Sequence, residues 1–211
     1  MLSGDPIGNA IQRYSNSEED LTIRVECDLM EDDVLPVPYL FRSYDFMPEI
    51  EKVALRMVHG HILDVGAAAG PHTRYLRENG YTVTAIDISK GAISYLNAEY
   101  PTDENLNVTI EDLIHQDRKF DTVLLLMNGI GLAEELANLE FFLSQLKSLL
   151  NKGGKIICDS TDVRYFYEDE DGSMWVDLNT NYHGDFKFRM HFENSSTDWF
   201  KWLYVDPESL Q

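Results

Sequence analysis

Two acids and two glycines raise the first chemical question. In HILDVGAAAGPHTRYL, residues 61–76, Asp64 ends an apolar run, and Gly66, Ala67, Ala68, Ala69 and Gly70 follow with no side chain larger than a methyl. Pro71 then leads into a helix-like stretch, with His72 in its first turn. Side chains this small let a ligand touch the main chain, and glycine permits positive φ. The unpaired N–H groups that open a helix favour a negative group. Asp87 follows the apolar run of YTVTAID and is placed to accept both hydroxyls of a ribose. The acids of TIEDL, Glu111 and Asp112, and Asn128 with Gly129 in LLLMNG stand in comparable places. Together these residues describe a binding crevice rather than a nucleophile with its base. Neither cysteine pairs with a histidine in a recognisable motif, and no histidine spacing resembles a zinc site.

The elements that position these residues can be read from periodicity. PEIEKVALRMVHG predicts a helix with Gly60 past its end, HILDVG a strand, PHTRYLREN a helix stopped by Gly80, and TVTAID a strand. SKGAISYLNAEY predicts a helix capped by Ser89, and LNVTIED and FDTVLLLMN predict strands. In EELANLEFFLSQLKSLLNKGG, Leu136, Leu139, Leu143, Leu146 and Leu150 keep helical spacing, and KIICDS predicts another strand. Short apolar strands alternating with amphipathic helices mean crossover units and a parallel sheet covered on both faces. Ligands of such sheets bind beyond the carboxyl ends of the strands. The first 45 residues predict a short helix capped by Asp5, a strand over LTIRVECDL, and an irregular aromatic segment.

A dinucleotide fingerprint needs glycine at the first, third and sixth positions of the turn. Counted from Gly66, those positions hold Gly66, Ala68 and Pro71, so only the first matches. The order Asp64, Gly66, Gly70 instead resembles the first motif of class I S-adenosylmethionine-dependent methyltransferases, with Ala68 where that family often has a third glycine. The resemblance runs in order from about Ile50 to Ser160. It implies an α/β fold with a Rossmann-like doubly wound sheet, mostly parallel, with helices on both faces. It also implies S-adenosyl-L-methionine as cofactor. The residues that would hold it are Asp64, Gly66, Ala67, Ala68, Gly70, Asp87, Ile88, Asp112, Leu113, Met127 and Asn128. Asp112 would face the adenine amine, with Glu111 its rival, and Asn128 would lie beside the methyl group. Asn128 and His72 are the candidate catalytic residues. The family covers its cofactor with residues before the first strand. PVPYLFRSYD fits that lid, with Arg42 to meet the cofactor's carboxylate and Tyr39 or Tyr44 to wall the methyl channel. The implied chemistry is in-line displacement, which rests on alignment more than on a dedicated base. A nicotinamide-dependent oxidoreductase and an inactive S-adenosylmethionine-binding module are the alternatives.

The implied organisation is an N-terminal lid over residues 1–48, a cofactor-binding core over 49–162, and a C-terminal region over 163–211. In the last, FKFRMHF alternates Phe186, Phe188, Met190 and Phe192 against Lys187, Arg189 and His191, and WFKWLYV alternates again, which predicts an aromatic hairpin. The hairpin is either the pair of strands that closes the core sheet or an insertion on the substrate side. The helix-start order Asp206, Pro207, Glu208 close to the last residue favours the insertion and a truncated end. An open sheet edge would then suit a homodimer. The hairpin and the acidic run Glu168–Asp171 together suggest a pocket for an amine or a ring.

Composition sets the outer bounds. Thirty-seven acids against 17 bases leave a formal charge of −20, which argues against a phosphate-embracing nucleic-acid binder. The longest apolar run, Val123–Met127, is too short to span a bilayer. Cys27 and Cys158 lie far apart, which suits free thiols in the cytoplasm. A small-molecule methyl acceptor, no metal, no nucleic acid and no membrane complete the expectation.

Overall fold

The computed structural model describes residues 4–17, 19–167 and 182–210. Two five-stranded sheets organise them. The first is parallel and built from β3 (His61–Val65), β4 (Thr82–Ile86), β5 (Glu104–Leu106), β6 (Phe120–Leu125) and β7 (Leu150–Cys158). Its spatial order is β5-β4-β3-β6-β7, so the order reverses between β3 and β6 and opens a crevice beyond their carboxyl ends. Helix α2 (Glu49–Met57), α3 (Pro71–Glu78) and α4 (Lys90–Glu99) cover one face, where Leu55, Leu76, Ile62, Val83 and Leu124 are buried together. Helix α5 (Ile110–His115) and α6 (Leu139–Ser148) cover the other through Leu113, Phe142, Leu146, Leu63 and Val123. This is the doubly wound, mostly parallel Rossmann-like sheet expected from the alternating pattern.

Three elements depart from the sequence expectation. The strand predicted over LNVTIED ends at Leu106, because Thr109 and Asp112 form a reciprocal capping box that starts α5. The long leucine-rich helix begins as a 3-10 turn, Leu136–Asn138, and becomes α-helical at Leu139. Within the irregular N-terminal segment lies a strand, β2 (Asp33–Pro36).

The second sheet is antiparallel and joins the two ends of the chain. Strand β1 (Thr22–Cys27) lies between β2 and β8 (Asp185–Phe192), with β9 (Ser195–Ser196) and β10 (Phe200–Leu203) flanking β8. The predicted hairpin therefore does not close the parallel sheet. It pairs with the N-terminal strand, Arg24 opposite His191 and Glu26 opposite Arg189. Sequence could not assign this pairing, because alternation specifies a strand's two faces and not its partner. One face carries Arg24, Glu26, Arg189 and His191. The other turns Ile23, Met190 and Phe192 toward the turn residues Ala68 and Ala69. Helix α1 (Pro6–Ser17) completes this layer. Asp5 Oδ1 accepts the Gly8 N–H at 2.9 Å and caps α1, while Oδ2 accepts the Gly91 N–H at 2.9 Å and ties α1 to α4. The run Glu168–Asp171 lies outside the described residues.

Candidate functional site

The turn after β3 has the backbone its composition suggested. Gly66 has φ +72° and Gly70 φ +75°, and Ala68 between them also sits in the left-handed region at +49°. Alanine thus holds a glycine-like conformation at Ala68 at a cost on the order of 1 kcal/mol. A Cβ built on Gly66 would meet nothing within 4 Å, whereas one on Gly70 would meet Leu96 at 2.6 Å. Gly66 therefore opens the cradle, and Gly70 lets α3 start close against α4. The turn is anchored from behind. The Gly66 N–H donates to Ile86 O at 2.9 Å, and Thr73 Oγ1 donates to the buried Asp64 at 2.5 Å.

Asp87 stands where β4 ends, beside that cradle. Its Oδ2 accepts the Ala68 N–H at 2.9 Å, and its Oδ1 accepts the Ser89 N–H at 2.7 Å. Burial pushes its carboxyl up to about 6, and these two N–H groups oppose the rise. One carboxylate thus links the glycine turn to the start of α4 and keeps lone pairs for a ligand hydroxyl. Ile88 next to it is 57 % exposed, an apolar platform at the crevice rim. Asp112 lies on the surface, its carboxylate held by the Thr109 N–H at 2.9 Å and thereby kept below the usual range. Leu113, its neighbour, is fully buried in the core under α5.

At the end of β6 the backbone is again left-handed, with Met127 at φ +59° and Asn128 at +58°. Two such non-glycine residues in a row mark a strained turn, of the kind that collects at binding sites. The Asn128 side chain is committed to the main chain. Its Nδ2 donates to Leu203 O at 3.1 Å, and its Oδ1 accepts the Thr161 N–H at 3.2 Å. It pins the second sheet to the crevice edge, as does Ser160 Oγ, which donates to Val205 O at 2.7 Å.

Arg42 and His72 meet on a residue that the sequence did not single out. Arg42 Nη2 donates to Glu51 Oε1 and Oε2 at 2.7 and 2.6 Å, and His72 Nε2 lies 2.8 Å from Oε2. All three are buried. Burial raises the Glu51 carboxyl, but the bonds from His72 and Arg42 outweigh it and hold the acid below its ordinary value. The Arg42 guanidinium also lies over the Tyr39 ring at 3.9 Å. Tyr44 is turned elsewhere and stacks on Tyr75 at 4.2 Å between ring centroids. Arg42 Nε is buried without a partner among the described residues. The signal for Glu51 was faint: it is one of two acids in the first turn of α2, on a face otherwise apolar at Ala54 and Leu55.

The cradle fits a small ligand with a nucleoside half. An open Cβ position, an acceptor one strand over and an apolar shelf lie in one row across β3 and β4. Among the described residues no group of three or more metal-ligating side chains occurs, and no helix is long and apolar enough to cross a membrane. Both cysteines are free thiols.

Comparison with known proteins agrees with this geometry. A family model described as a methyltransferase domain matches residues 63–158, the strands and turns that frame the crevice. A structure of an S-adenosylmethionine-dependent methyltransferase from Bacteroides fragilis, in complex with S-adenosyl-L-homocysteine, is 38 % identical. It aligns over 99 % of this chain and 86 % of its own at a TM-score of 0.88. Demethylmenaquinone methyltransferase from Tropheryma whipplei is 30 % identical over 108 residues, which is 50 % of this chain; the chain spans 44 % of that relative's length. The sugar N-methyltransferase KedS8 from Streptoalloteichus shares the fold at 17 % identity and a TM-score of 0.53, covering 87 % of this chain and 85 % of its own.

Proposed function

Since the chain belongs to the class I S-adenosylmethionine-dependent methyltransferases, with S-adenosyl-L-methionine as methyl donor, we propose that it methylates a small-molecule acceptor by in-line displacement. When bound, the donor supplies an activated methyl on a sulfonium. The chain's own residues hold, align and exclude water, and alignment alone supplies roughly 7–11 kcal/mol.

In this reading the Gly66–Gly70 turn receives the amino-acid half of the donor, Asp87 accepts the ribose hydroxyls, and Ile88 carries the adenine. Asp64 is a positioning residue that locks Thr73 and the start of α3. Glu51 positions Arg42 of the lid segment and His72 in the first turn of α3. Residues 49–162 form the donor-binding core, residues 1–48 the lid over it, and residues 163–211 the substrate side. The cytoplasm is the proposed compartment, supported by the two free cysteines.

The carrying observation is the row formed by the open, left-handed Gly66 and the Asp87 carboxylate that accepts the Ala68 N–H. The family model stops at residue 158, short of β8 and β10, so its match supports the donor and leaves the acceptor open. Calorimetric titration with S-adenosylmethionine, S-adenosylhomocysteine and NAD tests the donor seat. Micromolar binding of the first two and none of the third is expected. Binding of NAD alone would overturn the reading.

A further inference from the structure

We infer that Asp159 is the residue that receives the methyl acceptor, and that the acceptor atom is an amine nitrogen. The inference rests on the donor seat proposed above and extends it to the other end of the crevice.

The argument begins with topology. The donor seat occupies the carboxyl ends of β3 and β4, which leaves the ends of β6 and β7 for the acceptor. Asp159 is the first residue after β7, half-buried at that edge. Its Oδ1 accepts the Asn128 N–H at 2.7 Å, which fixes the carboxyl across the strained turn. Its Oδ2 takes no donor from another described residue.

The charged and titratable groups around it come from every neighbouring element. They are Tyr39 in the lid turn, Glu51 on α2, His72 on α3 and Cys158 on β7, with Arg42 paired to Glu51. Burial raises the Asp159 carboxyl, the Asn128 N–H opposes that, the Glu51 charge adds to the rise, and His72, itself bound to Glu51, lowers it. With Arg42 committed to Glu51, a cation is the natural partner for Asp159.

The chemistry then selects nitrogen. The ammonium that the site attracts first releases one proton to solvent, and the neutral amine, still donating an N–H to Oδ2, attacks with its lone pair. A nitrogen–carbon bond forms as the carbon–sulfur bond breaks, and that bonding pair stays on sulfur. Positive charge therefore moves from sulfur to nitrogen during the step. A carboxylate fixed on the nitrogen side stabilises that developing charge. An amine N–H donated to Oδ2 also turns the lone pair away from Asp159, toward the donor. A phenolate or enolate would meet repulsion from the same group. The chain's charge of −20 raises the local concentration of cationic amines.

The test uses labelled methyl donor with benzylamine, tyramine and putrescine as amine probes, and catechol and hydroquinone as oxygen and ring-carbon probes. An N-methyl product from at least one amine is expected, with Asp159→Asn at least 100-fold lower in kcat/KM and a donor Kd within twofold of wild type. Methylation of catechol or hydroquinone alone, or of no probe by donor-loaded protein, overturns the inference, as does N-methylation in Asp159→Asn within threefold of wild type. A second measurement needs no variant. Benzylamine should bind the wild-type protein loaded with S-adenosylhomocysteine at least tenfold tighter than benzyl alcohol; equal binding overturns the inference. Failure to bind the donor at all would instead strike the proposed function.

Discussion

At the residue scale, the crevice depends on a few backbone angles and one carboxylate. Gly66 and Gly70 share positive φ but differ in what their missing Cβ makes room for. Gly66→Ala is expected to cost about 1–2 kcal/mol of stability from its left-handed backbone and to weaken donor binding at least tenfold, because the new methyl enters the cradle. Gly70→Ala adds a clash with Leu96 to the same strain, so its larger effect should appear in the thermal midpoint. Thermal melts and donor titrations on the two variants separate these outcomes. Asp87→Ala should raise the donor Kd roughly 10–100-fold, the worth of a hydrogen bond to a charged group, with an unchanged circular dichroism spectrum. Because the free carboxyl is pushed up to about 6, donor affinity in the wild type should hold above that pH. It should weaken as pH falls below it, since a protonated Asp87 offers the ribose a poorer acceptor. An affinity flat from pH 7 to 5 would count against Asp87.

At the element scale, the clasp of Arg42, Glu51 and His72 joins the lid segment, α2 and the first turn of α3. Its worth lies in satisfaction rather than in gain. A buried pair contributes little over apolar packing, but removing one partner strands the other charge. Glu51→Gln is expected to cost about 3–5 kcal/mol, a fall in Tm on the order of 10 °C at this chain length. The Glu51 carboxyl is held below its ordinary value near 4.5. Its contribution is therefore complete above that pH and is lost as pH falls through the lowered folded value. Urea melts between pH 7 and 3 should show the wild type losing stability more steeply than the variant below pH 4.5. Equal slopes would remove Glu51 from this role.

At the scale of the whole molecule, the charge of −20 surrounds a site that must admit a cation. S-adenosylmethionine carries a net positive charge that its demethylated product lacks. Long-range attraction between exposed charges is screened within about 10 Å at 0.1 M salt. The donor's association rate should therefore fall with ionic strength more steeply than the product's, and stopped-flow binding from 20 to 500 mM salt checks this. Identical slopes would mean the field does not act on the ligand. The second sheet also belongs to this scale. It takes β1 and β2 from one end of the chain and β8 to β10 from the other; Asn128 and Ser160 fasten it to the crevice edge, and Trp202 of β10 packs against Gly131.

Local pattern alone specified the parallel core. Apolar runs ending in an acid, small residues in the turn and helices with caps can be read a few residues at a time, so Asp64, Gly66, Gly70 and Asp87 are legible in the amino-acid order itself. The same local rules misjudged TIED, where Thr109 and Asp112 cap a helix in place of a strand. Three matters needed the tertiary structure: that Glu51 binds both Arg42 and His72, that Asp159 holds the Asn128 N–H, and that the C-terminal hairpin pairs with the N-terminal strand. Each joins residues far apart in the chain. Alternation and periodicity show which side of an element is buried, whereas its partner is chosen only when the whole chain has closed around it.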